Sequence, residues 1–376
     1  MERILLAYSG SLETSVAVPW LIESMAADIA TLSMNFGQGA ELDDVRERAL
    51  ASGATRAHVL DARDEFAREM VIRAVQARAV GEARAPLASA LTRPLLARHL
   101  VAIARLEGSA AIAHCGTGAD ADRIERAIHA LEPGMRVIAV MRDWPATRDE
   151  LIAYAEARGI PAPVSTDPSV TADLNLWGRT IRGGPLEQTW HEAPETAYAL
   201  TKSPDEAPET PAFVEIEIEQ GIPTKINGVS LSLVELITSL ETIAGAHGVG
   251  RGDVIEEDRD GLRTRVIYEA PAATVLHTAH AALQALVTPR HLARLIDTLG
   301  AAYAELINSG AWYSLTRDAI DAFVGAVQAR VAGVVRVKLY KGECRVVGRR
   351  SPFSEADGPR PAAIGDRAIG RSGDGA

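Results

Sequence analysis

Cysteine is scarce in this sequence. Cys115 and Cys344 are the two cysteines among 376 residues, and neither has a CxxC neighbour. A structural zinc site or a redox pair needs closely spaced thiols, so neither is indicated. No stretch reaches the roughly 18 to 20 apolar residues that cross a membrane, and the amino terminus lacks the pattern of a signal peptide. We therefore expect a cytoplasmic protein that has no membrane partner.

Clusters of basic residues are also missing. Lysine and arginine total 39 against 50 aspartates and glutamates, which gives a net charge of −11. Nucleic acids are bound through clustered lysine and arginine that contact phosphates, so a nucleic-acid partner is not expected. The hydrophobic fraction of 47% is that of an ordinary globular protein, and the length suits two domains.

Short apolar segments alternate with helical patterns in the first part of the chain. The strand candidates are residues 3–9, 29–36, 56–60, 110–114 and 136–141. Helical spacing falls at residues 12–27, 42–52, 64–79, 94–106 and 148–158, and Pro19 should kink the first of these helices. This alternation predicts an α/β domain with a doubly wound parallel sheet, which binds ligands at the carboxyl ends of its strands.

The rest of the chain is typical of a mixed α+β domain. Residues 161–211 show little periodicity and predict a crossing segment with functional loops. Strict alternation at 213–219 predicts a strand with one exposed face, 231–247 and 274–309 are mainly helical, and 335–347 predicts a hairpin that turns at Lys341-Gly342. We place a nucleotide-binding domain at residues 1–162, a synthetase domain for substrate binding and oligomerisation at 163–353, and a disordered tail at 354–376.

The strongest local motif lies where the first strand meets the first helix, in the sequence AYSGSLETS. Small residues there let the backbone turn tightly and bring N–H groups against an anion. The helix N-terminus adds partial positive charge, and Ser9, Thr14 and Ser15 add hydroxyl donors. No lysine follows, which excludes the loop of P-loop NTPases. The motif predicts a phosphate-binding loop, and the alternative is an ordinary turn with a Ser/Thr cap.

This loop resembles the SGGxDS pyrophosphate loop of ATP pyrophosphatases, and further blocks extend the likeness. They are residues 36–39 (FGQG), 91–94 (LTRP), 114–118 (HCGTG), 175–179 (NLWGR), 248–251 (GVGR), 267–269 (IYE), 278–280 (TAH), 335–342 (VRVKLYKG) and 348–352 (GRRSP). In this order they resemble the argininosuccinate synthase family over residues 3–353. The resemblance implies a nucleotide domain of the pyrophosphatase type followed by an α+β synthetase domain.

The family joins citrulline to aspartate in two steps. ATP first adenylates the ureido oxygen with release of pyrophosphate, and the aspartate amine then displaces AMP. The resemblance therefore implies a carbon–nitrogen ligase of arginine biosynthesis with ATP and Mg²⁺ as cofactors. Its expected small-molecule partners are aspartate and citrulline or an analogue. A homo-oligomer, with a tetramer favoured, is implied as well.

Site residues carry over from the family position by position. The implied ATP-binding residues are Ala7, Tyr8, Ser9, Gly10, Ser11, Leu12, Glu13, Thr14, Ser15 and Cys115. Aspartate binding is implied for Thr117 and Asp122, and acceptor binding for Ser89, Thr171, Thr180, Glu256 and Tyr268. The resemblance assigns no catalytic residue and no protein ligand to a metal.

Several positions depart from the family pattern in the phosphate loops. Ser11 and Cys115 each replace a glycine, and Glu13 replaces an aspartate. Ser11 adds a Cβ where the backbone is expected to need a positive φ, which would weaken ATP binding.

The acceptor side departs more strongly. Ala85 replaces a tyrosine, and Ala121 replaces an asparagine that touches both amino acids. Glu125 replaces an arginine that pairs with the substrate carboxylate, a charge reversal that should repel this group. Arg123 and Arg126 are nearby, but on a helix they point about 200° and 100° away from position 125.

Three functions remain open on these residues. The first is citrulline–aspartate ligation, and the second is ligation of a different acceptor that lacks the carboxylate or carries a cation, in specialised metabolism. The third is a catalytically impaired paralogue that still binds nucleotide.

Overall fold

The computed structural model describes residues 2–39, 41–161, 170–257, 261 and 263–354. The boundary predicted at 162/163 and nearly all of the predicted tail at 354–376 lie outside these residues.

The first sheet is parallel and doubly wound. Its strands are β1 (Arg3–Ala7), β2 (Asp28–Asn35), β3 (Arg56–Asp61), β4 (Ala111–His114) and β5 (Arg136–Ala139). They lie in the order β3-β2-β1-β4-β5. The order reverses at β1, so the loops after β1 and β4 diverge and leave a crevice at their carboxyl ends. The predicted doubly wound sheet is confirmed.

Helices connect and cover these strands. They are α1 (Leu12–Met25), α2 (Leu42–Ala51), α3 (Arg63–Phe66), α4 (Ile72–Ala77), α5 (Ala88–Glu107), α6 (Gly118–Leu131), α7 (Val140–Asp143) and α8 (Arg148–Arg158). α1 runs through Pro19 as one helix. The helix predicted at 64–79 is instead interrupted by a π-helical turn at Ala67–Val71.

Two antiparallel sheets follow in the second part of the chain. Their strands are β6 (Val170–Asn175), β7 (Gly178–Gly183), β8 (Ala212–Glu219), β9 (Ile222–Ile226), β10 (Val229–Ser230), β11 (Arg251–Glu257), β12 (Arg263–Glu269), β13 (Gly333–Tyr340) and β14 (Glu343–Arg350). One sheet has the order β11-β12-β7-β6 and the other β10-β9-β8-β13-β14. The accompanying helices are α9 (Leu233–Ala246), α10 (Pro271–Val287), α11 (Arg290–Asn308) and α12 (Leu315–Gln328). Short 3-10 turns occupy Glu82–Arg84, Gly184–Glu187 and Glu195–Ala197. This mixture of sheets and helices confirms the α+β prediction.

Some of the elements predicted for the second part of the chain are confirmed, and others are not. β8 alternates between buried and exposed positions as predicted, and the hairpin turns at Lys341-Gly342, where both φ angles are positive. The prediction of loops for 161–211 is wrong at 170–183, where β6 and β7 form a hairpin. These strands are short and mostly polar, so their alternation was not apparent. Residues 184–211 consist of loops and short 3-10 turns, as predicted.

The core passes continuously from the first sheet to the second part of the chain. Leu91 on α5, Trp177 at the β6–β7 turn and Leu276 on α10 belong to one buried cluster. The Trp177 indole Nε1 donates to the carbonyl oxygen of Pro86 at 3.1 Å. These contacts hold the β11-β12-β7-β6 sheet against α5 and thereby fix its position relative to the parallel sheet.

Within the described residues, none of the helices combines the length and the apolar character that a membrane crossing requires.

Candidate active site

A cavity of about 1060 Å³ lies between the carboxyl ends of the parallel strands and the β11-β12-β7-β6 sheet. At one end it is lined by the loop after β1, and at the other by residues of β6, β7 and β11. We call these the nucleotide end and the acceptor end. The volume is at the upper limit for ligand sites, about 300–1,000 Å³, which suits more than one bound substrate.

The loop after β1 reaches its tight turn through Gly10. Its φ is +79°, and a Cβ added there would lie 2.9 Å from Nη1 of Arg48. This same nitrogen donates to the Gly10 carbonyl oxygen at 2.7 Å. Ser11, by contrast, has φ −71° and caps α1. The strain that was expected at Ser11 is therefore absent, because Gly10 is the residue in the left-handed region.

Most of the predicted ATP-binding residues face the cavity. Those that line it are Ala7, Tyr8, Ser9, Ser11, Glu13, Thr14 and Cys115. Leu12 and Ser15 are buried beneath the loop. Ser15 Oγ lies 2.9 Å from the Tyr8 hydroxyl, and Ser9 Oγ lies 3.3 Å from Thr14 Oγ1. The loop thus presents hydroxyls and the start of α1 to the cavity, which is a suitable arrangement for an anion.

Cys115 supports this loop from the neighbouring strand. Its Sγ donates to the Glu13 carbonyl oxygen at 3.6 Å. Burial raises the pKa of the Cys115 thiol, and the charge of Glu13 raises it further. The thiol is therefore protonated near neutral pH and acts as a packing group rather than a nucleophile.

The structure separates the two residues predicted to bind aspartate. Thr117 lines the cavity at the N-cap of α6, where its side chain makes no capping hydrogen bond. Asp122 forms an interaction within the protein but, in the part of the chain that is described, is absent from the cavity lining. Asp120 and Arg123 line the cavity instead, because Asp122 points about 200° away from Asp120 on the helix.

An ionic network crosses the cavity wall near Thr117. Arg93 Nη2 donates to Asp120 Oδ2 at 2.8 Å and to Asp173 Oδ2 at 3.0 Å, and Arg123 Nη1 donates to Asp120 Oδ1 at 2.8 Å. Burial alone would raise the pKa of Asp120, but the two guanidinium groups outweigh it and hold this pKa well below its usual range. The ionised network joins α5 and α6 to β6, and therefore the two parts of the chain.

One face of the β11-β12-β7-β6 sheet forms the floor of the acceptor end. Tyr268 on β12 is paired with Thr180 on β7 and with Gly252 on β11. A Cβ at Gly252 would lie 2.0 Å from the Tyr268 ring, so the glycine makes room for the aromatic side chain. The Tyr268 hydroxyl donates to the Ala83 carbonyl oxygen at 3.4 Å.

A small recess of about 30 Å³ adjoins the acceptor end, with room for about one water molecule. All five predicted acceptor residues border the two spaces. Ser89 and Tyr268 line the recess, Thr171 lines the main cavity, and Thr180 and Glu256 line both. Ala85 also lines the recess.

Glu125 does not have the position expected of it. It is absent from the lining of both spaces among the described residues. Its Oε1 lies 3.0 Å from Nη1 of Arg142 and 3.4 Å from Nε2 of His114. Burial lowers the pKa of His114, against the opposing charge of Glu125. The expected repulsion of a substrate carboxylate by Glu125 is therefore not supported, because α6 turns Asp120 and Arg123 toward the cavity and Glu125 away from it.

Other charged cavity residues escaped the sequence analysis. They are Arg93, Asp120, Arg148, Asp173, Arg182 and Glu257, and Arg123 was considered only as a neighbour of Glu125. Asp173 lies two residues after Thr171 and Arg182 two residues after Thr180, so strand alternation places each pair on one sheet face. Recognition of the β6–β7 hairpin would have found both.

Two family models match this chain. The model of the arginosuccinate synthase N-terminal HUP domain matches residues 3–161, and that of the arginosuccinate synthase C-terminal domain matches residues 170–358. Among solved structures, the U34-tRNA thiolase NcsA from Methanococcus maripaludis is similar over 44% of this chain and 60% of its own, with 13% identity and a TM-score of 0.29. This last likeness is too weak to bear on function.

Curated relatives match nearly the whole chain. The argininosuccinate synthase of Gloeobacter violaceus is 45% identical over 359 residues, which is 95% of this chain and 90% of the relative. That of Geobacillus kaustophilus is 46% identical over 357 residues, 94% of this chain and 88% of the relative. By both family models and these relatives, the chain belongs to the argininosuccinate synthase family, whose members are AMP-forming ligases.

Proposed function

We propose that this protein condenses citrulline, or an acceptor that carries the same ureido group, with aspartate. In the first step the ureido oxygen attacks the α-phosphorus of ATP, and pyrophosphate leaves. In the second step the aspartate amine attacks the ureido carbon, the C–O bond to AMP breaks, and the amine releases a proton. The observation that carries the proposal is the single cavity that connects the phosphate-type loop with the acceptor residues.

The nucleotide end suits the triphosphate of ATP. Gly10 gives the loop its turn, and Ser9, Ser11 and Thr14 bring hydroxyls to the start of α1. Hydroxyls and backbone N–H groups at a helix N-terminus are favourable partners for phosphate. We assign these residues to phosphate binding, and Ala7, Tyr8 and Cys115 to the surrounding wall.

We propose that Mg²⁺ enters with ATP. Among the described residues no group of three or more His, Cys, Asp or Glu side chains is placed to hold a metal ion. Mg²⁺ is commonly held by one or two carboxylates together with substrate phosphates. Glu13 is the carboxylate that lines the cavity on the phosphate loop itself, where its Oε1 lies 3.6 Å from Nη1 of Arg148, and we assign it this role. The ion would neutralise the pyrophosphate that leaves.

For aspartate, we propose a site between the two ends of the cavity. Thr117 offers a hydroxyl there, and Arg93 and Arg123 stand in the adjoining wall, where they are paired with Asp120. Such a position places the aspartate amine between the nucleotide and the acceptor. Asp122 does not face this site, since it is not among the described residues that line the cavity.

The first experiment is turnover with citrulline whose ureido oxygen carries ¹⁸O. We expect AMP, pyrophosphate and argininosuccinate, with the label in the phosphate of AMP, and no product when aspartate is omitted. Labelled AMP would show that the ureido oxygen attacks phosphorus. AMP without label would contradict adenylation, and ATP binding without any turnover would identify a catalytically impaired paralogue.

Three further properties remain predictions. We propose a homotetramer, which light scattering after size-exclusion chromatography tests by the mass of the assembly. We propose a division into domains at 162/163, which limited proteolysis tests. We also expect a cytoplasmic location, as the scarcity of cysteine predicts.

A further inference from the structure

The Arg182–Glu256 ion pair stands at the boundary between the acceptor end and the recess. Arg182 Nη2 donates to Glu256 Oε2 at 2.6 Å, and both residues line both spaces. Their side chains are 37% and 40% exposed, so the pair is open to a ligand that enters the cavity. Exposed ion pairs contribute only about 0–1 kcal/mol, so exchanging this pair for contacts with a ligand costs little.

A zwitterion is the ligand that complements such a pair. The α-carboxylate and α-ammonium of an amino acid sit on one carbon, as close together as the two charged heads of Arg182 and Glu256. Binding exchanges one internal ion pair for two pairs with the ligand, so no charge is left uncompensated. A ligand with one charge would instead compete with one member and leave the other paired with nothing.

The recess supplies a second, independent observation. Ser89 lines it, is only 7% exposed, and its Oγ has no hydrogen-bond partner among the described residues. A buried hydroxyl without a partner is uncommon in proteins and marks a place where a ligand or water is expected. Ser89 Oγ is a donor that can complete the contacts of a carboxylate held by Arg182.

Arg123 is less suited to this task, although it also lines both spaces. Its Nη1 is bonded to Asp120, and its Nε donates to the carbonyl oxygen of Asn308 at 2.8 Å. These contacts hold Arg123 in the wall. Glu125 was expected at the carboxylate-binding position because it replaces a family arginine. In the described structure it lines neither the cavity nor the recess.

We propose that Arg182 binds the α-carboxylate of the acceptor, beside Glu256, for which the family resemblance already implies a contact with the α-ammonium. This assignment rests on the proposed function and specifies its acceptor as a ureido α-amino acid. Arg182 is then the specificity-determining residue, and it supplies the positive charge that position 125 lacks. The acceptor retains both charged groups of citrulline.

The test uses four ureas that differ only at the end distant from the ureido group. Citrulline has both charges, 5-ureidopentanoate has the carboxylate, 4-ureidobutylamine has the ammonium, and butylurea has neither. We measure acceptor-dependent AMP release with Mg-ATP and aspartate for the native protein, Arg182→Gln and Glu256→Gln. Lys225→Gln is the matched control, since Lys225 pairs with Glu217 at 2.7 Å on the other antiparallel sheet and these side chains are 34% and 31% exposed. Neither residue lines the cavity or the recess in the described structure.

We expect citrulline to be the best acceptor of the native protein. Arg182→Gln should raise KM for citrulline and 5-ureidopentanoate about tenfold, the loss of about 1.4 kcal/mol of binding, and leave KM for 4-ureidobutylamine unchanged or lower. Glu256→Gln should raise KM for citrulline and 4-ureidobutylamine but not for 5-ureidopentanoate. The control should change none of these values.

Two results would overturn the assignment. Arg182→Gln with unchanged KM for citrulline would place the carboxylate elsewhere, and an equal rise for all four ureas, butylurea included, would reveal a merely structural role. If no urea supports AMP release, the proposed function fails. Calorimetry of citrulline binding with a non-hydrolysable ATP analogue then decides the assignment, which is wrong if citrulline does not bind or binds equally to Arg182→Gln.

Discussion

The two ends of the cavity are built from different groups. The nucleotide end consists of a backbone turn, hydroxyls and a helix N-terminus, whereas the acceptor end consists of charged side chains paired across strands and helices. A site of the first kind tolerates changes of side chain as long as its backbone turn is kept. In a site of the second kind, one substitution that adds, removes or reverses a charge changes which ligand binds. The charged side chains that remain must then find other partners.

Substitutions at the two ends illustrate this difference. Ser11 and Cys115 stand in phosphate loops without strain, since Ser11 has an extended backbone and Cys115 packs under Glu13. Next to the acceptor end, Asp120 is paired with Arg93, and within the acceptor end Arg182 is paired with Glu256. The first kind of change leaves the loop intact, and the second redistributes charge.

The largest expected effect concerns the network at the acceptor end. Arg93→Met leaves Asp173 without this partner and Asp120 with Arg123 alone, at a wall where the Arg93 side chain is 19% exposed. We expect the free energy of unfolding to fall by about 3 kcal/mol, since each carboxylate loses a charged hydrogen bond. Urea unfolding followed by circular dichroism measures this cost. Arg98→Met on the same helix is the control, because its pairs with Glu65 and Glu69 are partly exposed and contribute about 0–1 kcal/mol. Equal losses would contradict a structural network.

The next effect concerns the backbone turn at the nucleotide end. Gly10→Ala puts a Cβ 2.9 Å from Arg48 Nη1 at a φ of +79°. We expect kcat/KM for ATP to fall about 100-fold, or about 2.7 kcal/mol of transition-state stabilisation, measured by AMP release. Gly108→Ala is the control, since Gly108 has a φ of +62° and open space around it at the end of α5. The control should lose about 1 kcal/mol of stability and no activity, and an equal loss of activity in both variants would exclude a specific role for the turn.

The same difference explains what the sequence could and could not predict. The parallel sheet, the loop after β1 and the hairpin at Lys341-Gly342 depend on local periodicity and turn residues, which are visible in the sequence. Asp173 and Arg182 were missed because they lie on short polar strands whose register depends on neighbouring strands. Glu125 was misplaced because matching along the chain does not reveal which face of α6 turns to the cavity.

A smaller effect tests that correction. Glu125→Gln removes a charge that contacts Arg142 and His114 outside the cavity lining. We expect KM for citrulline to change by less than about twofold, or about 0.4 kcal/mol, against the tenfold rise for Arg182→Gln. If Glu125→Gln raised KM for citrulline as much as Arg182→Gln, Glu125 would act on the acceptor despite its position outside the cavity lining.

The smallest effect concerns Ser11, which replaces a glycine in the loop that we expect to bind phosphate through its backbone. The Ser11 side chain accepts from the Thr14 backbone N–H at 3.5 Å, a weak cap of α1. Ser11→Gly should therefore cost only a few tenths of a kcal/mol of stability, about the usual effect of glycine at an N-cap. Ser314→Gly is the matched control, since Ser314 caps α12 by accepting from the Arg317 N–H at 3.3 Å.

KM for ATP separates the two roles that Ser11 can have. If the backbone binds the phosphates, Ser11→Gly leaves KM for ATP within about twofold of the native value, and both serine variants behave alike. A KM several-fold lower in Ser11→Gly alone would mean that the serine side chain obstructs the phosphates. A KM several-fold higher would mean that its hydroxyl binds them, so that the nucleotide end depends on side chains as the acceptor end does.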